Sequence, residues 1–227
     1  MKWQNTNITQ PRGPQDELKA LVCAHSTEVR IPARQVFSKP GENLNGVYYI
    51  SSGRTRHFMV GEDGIEKTLY ILSEGWFFGE TPCSLATPTS LYSETEVDSV
   101  LHHISFENYE RLLAENKVFR DAILVNCSKK TLILRHEIEN LTFNSLKDRL
   151  KRIYCSAADT DHLIDGAWYN LKLNCTQYEL STIVGGARVT VSKLIGELCQ
   201  EGFIRVLNRK TQISAAALQR IKSGAED

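Results

Sequence analysis

Residues 176–206 read TQYELSTIVGGARVTVSKLIGELCQEGFIRV, and this stretch decides how the rest of the chain is read. Thr176 is a helix-capping residue type, because its hydroxyl can accept a backbone N–H left over in a first turn. Leu180 and Val184 then fall on one helical face. Gly185 follows where a tight turn between two helices needs a left-handed residue. A second helix is expected from about Ala187, with Val191, Leu194, Ile195 and Leu198 on its buried side and Gly202 at its end. Segments 203–206 and 211–214 predict a two-stranded ribbon, joined by a polar, basic turn of Leu207, Asn208, Arg209 and Lys210. The pattern is that of a winged helix-turn-helix.

The solvent side of the second helix carries Arg188, Val189, Thr190, Ser192 and Lys193. Such a face suits the major groove of double-stranded DNA: Arg188 can hold a guanine edge by two hydrogen bonds, and Lys193 can meet a phosphate or a base. Val189 cannot bond a base, but it can pack on a thymine methyl, so A·T-rich half-sites are expected. Thr176 and Gln177, at the start of the first helix, are placed to hold phosphates. An ordinary helical hairpin would share the periodicity but would not need the ribbon or the charge. The chain as a whole is neutral, 27 basic against 27 acidic side chains, yet segment 170–222 holds eight basic and three acidic ones.

Working upstream, WYNLKL at 168–173 reads as a strand and DTDHLIDGAW at 159–168 as a polar loop. Asn144 and Ser145 look like a cap for a helix running to about Ala158. Before it, residues 117–143 contain no Gly or Pro and predict one long helix. Phe119, Ile123, Cys127, Leu134, Ile138 and Leu141 recur at helical steps there, with Lys130 interrupting them. A seam of that length packs against a second copy of the helix or, alternatively, against its own domain. FENYERLLAEN at 106–116 is a shorter helix capped by Ser105.

Residues 28–105 have a different texture. Short apolar runs at 29–31, 46–50, 55–60 and 67–72 alternate with turn signals at Pro40-Gly41, Ser52-Gly53, Asp63-Gly64 and Glu74-Gly75. This spacing indicates an all-β roll or sandwich. The fold class is therefore α+β: a jelly-roll-like N-terminal sensor over 1–116, a dimerisation helix over 117–143, and a winged helix-turn-helix over 144–227.

Composition narrows the function. No stretch approaches the roughly 18 apolar residues of a membrane span, and residues 1–20 are polar, so a cytoplasmic location and no membrane partner are expected. The six cysteines show no metal-ligand spacing and read as reduced, mostly buried residues. A cupin-type enzyme would need an H-x-H set, and the adjacent His102 and His103 place their rings on opposite faces of a strand. No nucleophile elbow, phosphate loop or H-E-x-x-H is present, so no enzyme and no cofactor are expected.

The order roll, long helix, winged helix-turn-helix resembles the Crp/Fnr family of bacterial transcription regulators. GVYYISSG at 46–53, GWFFGE at 75–80, NLTF at 140–143, Asp148-Arg149 and the helix-turn-helix carry the resemblance. It implies a homodimer, a near-palindromic operator, RNA polymerase as a partner, and an effector pocket between roll and helix. Cyclic-nucleotide members place a phosphate-binding arginine soon after the Gly-Glu pair, but TPCSLATPTSLYSETEV at 81–97 has none, and no Lys or Arg lies between Lys67 and Arg111. A buried phosphate needs a cation or a helix N-terminus, which argues against cyclic AMP.

The pocket is expected to involve Gly79, Glu80, Thr81, Phe78, Tyr92, Lys130, Leu134 and Arg135, with Tyr70, Trp76 and Phe77 as further aromatic candidates. Such a lining suits a small aromatic or weakly acidic effector, as in the family's halophenol-responsive branch, anchored by Glu80, Lys130 or Arg135. The alternative is that these aromatics simply fill the roll. Redox sensing through the cysteines, haem ligation by His57, His102 or His103, and constitutive DNA binding stay open as other modes within the family.

Overall fold

The computed structural model of the chain describes residues 15–172, 175–208 and 210–223. They divide into two compact units, 15–59 with 68–137 and 138–223 with 60–67. The first begins with helix α1 (Gln15–Ala24) and strands β1 (Thr27–Ile31), β2 (Val36–Ser38), β3 (Gly46–Ser52), β4 (Arg54–Val60), β5 (Glu66–Ser73) and β6 (Phe77–Phe78). A short helix α2 (Glu80–Leu85), strands β7 (Tyr92–Thr95) and β8 (Ser99–Ser105), and helices α3 (Phe106–Glu115) and α4 (Lys117–Phe143) follow.

Two four-stranded sheets, ordered β1-β8-β3-β6 and β2-β7-β4-β5, make the roll. Neighbours such as β3 and β8 are far apart in sequence, so each sheet closes by long-range antiparallel pairing, with Val47 opposite Ile104 and Tyr49 opposite His102. Strand alternation gives β3 two buried faces. Val47 and Tyr49 join Leu18, Phe77, Tyr109 and Phe119 under the helices, whereas Ile50 joins Leu72, Trp76, Phe78 and Leu101 inside the roll. The all-β expectation for this half omits α1 and α2. Both are short, and their sequences lack a long periodic face to announce them.

Helix α3 starts at Ser105, whose side chain accepts the Asn108 N–H as expected. Helix α4 spans the expected 27 residues, but its expected single stripe is two stripes. Phe119, Ile123, Asn126, Lys130 and Ile133 are buried against the roll. A second face at heptad spacing, Leu124, Cys127, Thr131, Leu134, Ile138 and Leu141, leaves Ile138 65% exposed, and Phe143 beyond it is 80% exposed. Lys130 therefore does not interrupt an apolar seam; it belongs to the inner face.

The second unit contains α5 (Leu146–Ala157), β9 (Ala158–Ile164), β10 (Trp168–Leu171), α6 (Gln177–Val184), α7 (Arg188–Gln200), β11 (Ile204–Leu207), β12 (Lys210–Ser214) and α8 (Ala215–Ser223). Ser145 and Asp148 form a capping box at the start of α5. The expected polar loop at 159–168 is mostly strand: β9 pairs with β10, and the ribbon β11-β12 continues into a four-stranded sheet ordered β11-β12-β10-β9. A run of four consecutive polar residues, Asp159 to His162, hid β9, an edge strand whose middle is exposed. Leu173, assigned above to a strand, and Arg209, assigned to the wing turn, lie outside the described residues.

None of the six free cysteines is fully buried; Cys23 is exposed and the other five are partly covered. The expectation of mostly buried thiols is corrected accordingly: Cys83 and Cys127 flank the core rather than fill it.

Candidate functional site

Inside the roll a cavity of about 360 Å³ is walled by β4, β5, β6, α2, the 87–91 loop and the inner edge of α4. Gly79 makes its floor possible. With φ of +87° it turns the chain from β6 straight into α2, in a conformation that side chains rarely adopt. That turn delivers Glu80 into the interior, where the residue is only 2% exposed.

Glu80 is met there by α4. Lys130 Nζ donates to Glu80 Oε1 at 2.7 Å, and Asn126 Nδ2 donates to the same oxygen at 3.2 Å. Asn126 also clamps β6 by donating to the Phe77 carbonyl at 3.3 Å and accepting the Phe77 N–H at 3.1 Å. The other carboxylate oxygen, Oε2, is buried without a hydrogen-bond partner. Among the described residues that line the cavity, Lys130 is the only Lys or Arg and Glu80 the only acid, so the lining is neutral.

His57 sits on the opposite wall with both ring nitrogens engaged, Nε2 with Thr55 Oγ1 at 2.9 Å and Nδ1 with Ser93 Oγ at 3.0 Å. Burial, with the nearby Lys130 charge, holds its pKa well below the usual histidine range, so the ring is neutral. The Tyr70 phenol is pushed up to about 12 by burial, with Glu80 and Cys127 adding to the effect. Phe78, Leu69, Leu44 and Leu134 supply apolar surface, and Thr81, Thr89, Ser90 and Thr131 supply hydroxyls.

Gly79, Glu80, Thr81, Phe78, Lys130 and Leu134 thus come together around one cavity, and Tyr70 with them. Two residues expected there lie elsewhere. Tyr92 precedes the cavity-facing Ser93 in β7, so alternation turns it to the other face, where it stacks on Phe58 at 5.2 Å. Arg135 is exposed, because five residues past Lys130 is about 140° round a helix. Trp76 and Phe77 fill the two cores. Asn126, a supporting residue, has no place in the sequence expectations, and His57, named there only as a candidate haem ligand, lines the cavity. Asn126 was legible as a polar partner one turn before Lys130; His57 became a pocket residue only through pairing of β4 with β7.

The second site is the helix pair α6–α7. Thr176 and Glu179 cap α6 reciprocally: the Thr176 hydroxyl accepts the Glu179 N–H at 3.2 Å, while the Glu179 carboxylate accepts the Thr176 N–H at 2.7 Å and its hydroxyl at 3.0 Å. This leaves the Thr176 hydroxyl committed within the chain, and Gln177 exposed beside it. Gly185 has φ of +68° and closes α6 through its N–H to the Ser181 carbonyl at 2.9 Å. Val191 and Leu198 are buried, while Arg188, Val189, Thr190, Ser192 and Lys193 are all exposed, Val189 to 82%.

Charge on this unit is arranged to favour that face. Lys147 of α5 pairs with Glu197 and Glu201 at the far end of α7, at 3.2 and 2.5 Å. Glu179 is held in its capping box. All three acidic residues of segment 170–222 are therefore engaged away from Arg188 and Lys193. Arg205 is a structural cation, bonding Gln212 and Asp165 and lying 4.6 Å from the Trp168 ring centre.

Residues 28–116 match the family model of the cyclic nucleotide-binding domain, and residues 149–221 that of the Crp-like helix-turn-helix domain. The chain belongs to the Crp/Fnr family of DNA-binding transcription regulators. Its Crp/Fnr relatives include the CRP-like protein Clp of Xanthomonas euvesicatoria, 25% identical over 80% of this chain and 81% of that one. The transcriptional regulator SdrP of Thermus thermophilus is 29% identical over 73% of this chain and 78% of its own. A solved structure of Xanthomonas campestris Clp, described as a c-di-GMP-responsive global regulator, superposes with a TM-score of 0.76 at 22% identity, covering 87% of this chain and 98% of that one.

Proposed function

We infer that the protein is a homodimeric regulator whose affinity for operator DNA is set by a small molecule held in the roll cavity. The observation that carries this reading is a coincidence on α4: Cys127, Thr131 and Leu134 line the cavity and also sit on the exposed heptad face. A molecule in the cavity therefore touches the same helix face that a second copy of the chain would cover. No helix among the described residues is long and apolar enough to cross a membrane. The proposed site of action is the cytoplasm, with DNA and RNA polymerase as the proposed macromolecular partners.

On DNA, Arg188 and Lys193 supply the base and phosphate contacts, and Val189, Thr190 and Ser192 complete the groove-facing surface. Gln177 takes a phosphate; the Thr176 hydroxyl first has to leave its capping box to do so. A dimer spaces two α7 helices about 34 Å apart, so the operator is a near-palindrome with A·T-rich half-sites at the Val189 step. The Clp likeness raises a cyclic dinucleotide as effector. Phosphodiesters need desolvated cations, and the lining lysine is already paired with Glu80, so this reading favours a smaller ligand without phosphate.

Fluorescence anisotropy on a palindromic A·T-rich duplex tests the proposal, with small aromatic compounds, cyclic AMP and c-di-GMP added in turn. A tenfold gain or loss of affinity with one compound, about 1.4 kcal/mol of coupling, establishes effector control. Binding that no compound moves would leave a constitutive regulator instead. Ile138→Arg, on the exposed face of α4, is expected to weaken operator binding most at low protein concentration.

A further inference from the structure

The DNA-binding unit includes a segment remote from it in sequence. Residues 60–67, the tip of the hairpin between β4 and β5, group with the helix-turn-helix rather than with the roll. The tip reads VGEDGIEK and is tightly folded. The Gly61 N–H donates to the Ile65 carbonyl and the Gly64 N–H to the Gly61 carbonyl, both at 2.9 Å, while the Asp63 carboxylate accepts the Ile65 N–H at 3.0 Å. Its three carboxylates, Glu62, Asp63 and Glu66, outnumber its one ammonium, Lys67.

This acidic tip grips α6 near both ends. In the first turn, the Tyr178 hydroxyl donates to Glu66 Oε1 at 2.7 Å. In the last turn, Lys67 Nζ donates to the carbonyl of Ile183. That carbonyl is among the last four of the helix, which need partners from outside it, and a cation is also favoured at this end of the helix dipole. The Lys67 stem passes so close to the turn between the two helices that a Cβ on Gly185 would stand 2.9 Å from its Cδ. Gly185 thus answers two needs, a positive φ and room for Lys67.

The gripped helix is the one assigned above to phosphate contact. Tyr178 is the neighbour of Gln177 in α6, so a phosphate docking there approaches a carboxylate that Tyr178 holds, and like charges repel. We propose that the β4–β5 tip is an autoinhibitory latch: it binds α6 through Glu66 and Lys67, sets acidic side chains against the helix that must take phosphate, and is released when DNA binds. While the latch is closed, apparent affinity for DNA falls by the fraction of molecules that are open. The proposal rests on DNA binding by the helix pair and does not need the effector reading.

Lys67→Met separates the latch from ordinary charge effects. It takes a cation from the protein, so general electrostatics predicts weaker DNA binding, whereas release of the latch predicts tighter binding. Tyr178→Phe removes only the hydroxyl that holds Glu66. With no small molecule added, each variant is expected to bind the palindromic A·T-rich duplex about threefold more tightly than wild type by fluorescence anisotropy, and the double variant about tenfold. Thermal melting checks that each is folded; should Lys67→Met fail to fold, Tyr178→Phe decides. In the wild-type chain, hydrogen exchange read by mass spectrometry follows residues 60–67, whose amides should exchange about tenfold faster in the duplex complex than in the free protein. Folded variants that bind no more tightly than wild type overturn the proposal, as does exchange of the tip that DNA leaves unchanged or slows. Tighter binding by the variants, with no small molecule moving the affinity of any form, keeps the latch and removes the effector reading.

Discussion

Lys130 and Arg188 are both cations on helices, and the two regions treat them in opposite ways. In the roll, Lys130 is shielded from water and fixed to Glu80 at 2.7 Å, inside a lining of zero net charge. On α7, Arg188 and Lys193 stand exposed, and the acidic residues of segment 170–222 are bound elsewhere. A paired buried charge contributes to architecture, and its removal is felt in folding. An unpaired exposed charge contributes little to folding and is available to a polyanion.

The largest expected effect comes from breaking the buried pair. Lys130→Met leaves Glu80 without its cation and should cost about 3–5 kcal/mol in chemical denaturation, with Glu80→Gln in the same chain recovering much of it. A Lys130→Met protein as stable as wild type would show that the pair is hydrated in solution. The opposite profile is expected of Arg188→Ala: about 1–3 kcal/mol lost from operator affinity, with stability changed by less than about 0.5 kcal/mol. If its melting temperature fell together with affinity, the contrast between the two regions would be lost.

His57 sharpens the comparison through pH. Its pKa is lower folded than unfolded, so the unfolded chain binds the extra proton first. Its neutral state stabilises the fold fully above the ordinary histidine pKa near 6.5, and that stability is lost as pH falls below it, by at most about 1.4 kcal/mol per pH unit. Stability curves at pH 7.5 and 5.5 should therefore converge in His57→Gln. The smallest effect concerns Thr176→Ala, which removes half of a capping box and should lower stability by about 1 kcal/mol. If Thr176 instead grips phosphate in the free protein's resting geometry, the loss would appear in DNA affinity alone.

The C-terminal unit was the more legible of the two. Local signals specify it: a capping Thr176, a left-handed Gly185 and heptad-like burial at Val191 and Leu198 act within a few residues of each other. Even there, β9 escaped, since an edge strand of exposed polar residues resembles a loop. The cavity was legible in outline through Gly79, Glu80, Lys130 and Leu134. Its remaining walls are assembled by strands paired across long separations, as with His57 opposite Ser93, and no local pattern announces that. Tyr92 and Arg135 show the characteristic errors, one of strand parity and one of helical phase.

The apolar face of α4 also has a consequence for abundance. Where two copies must meet before either half-site is held firmly, operator occupancy at low expression rises with the square of the number of protein molecules rather than in proportion to it. Leu124, Ile138 and Leu141 would thereby set a threshold of gene dosage, below which the cell carries the regulator but leaves its promoters unattended.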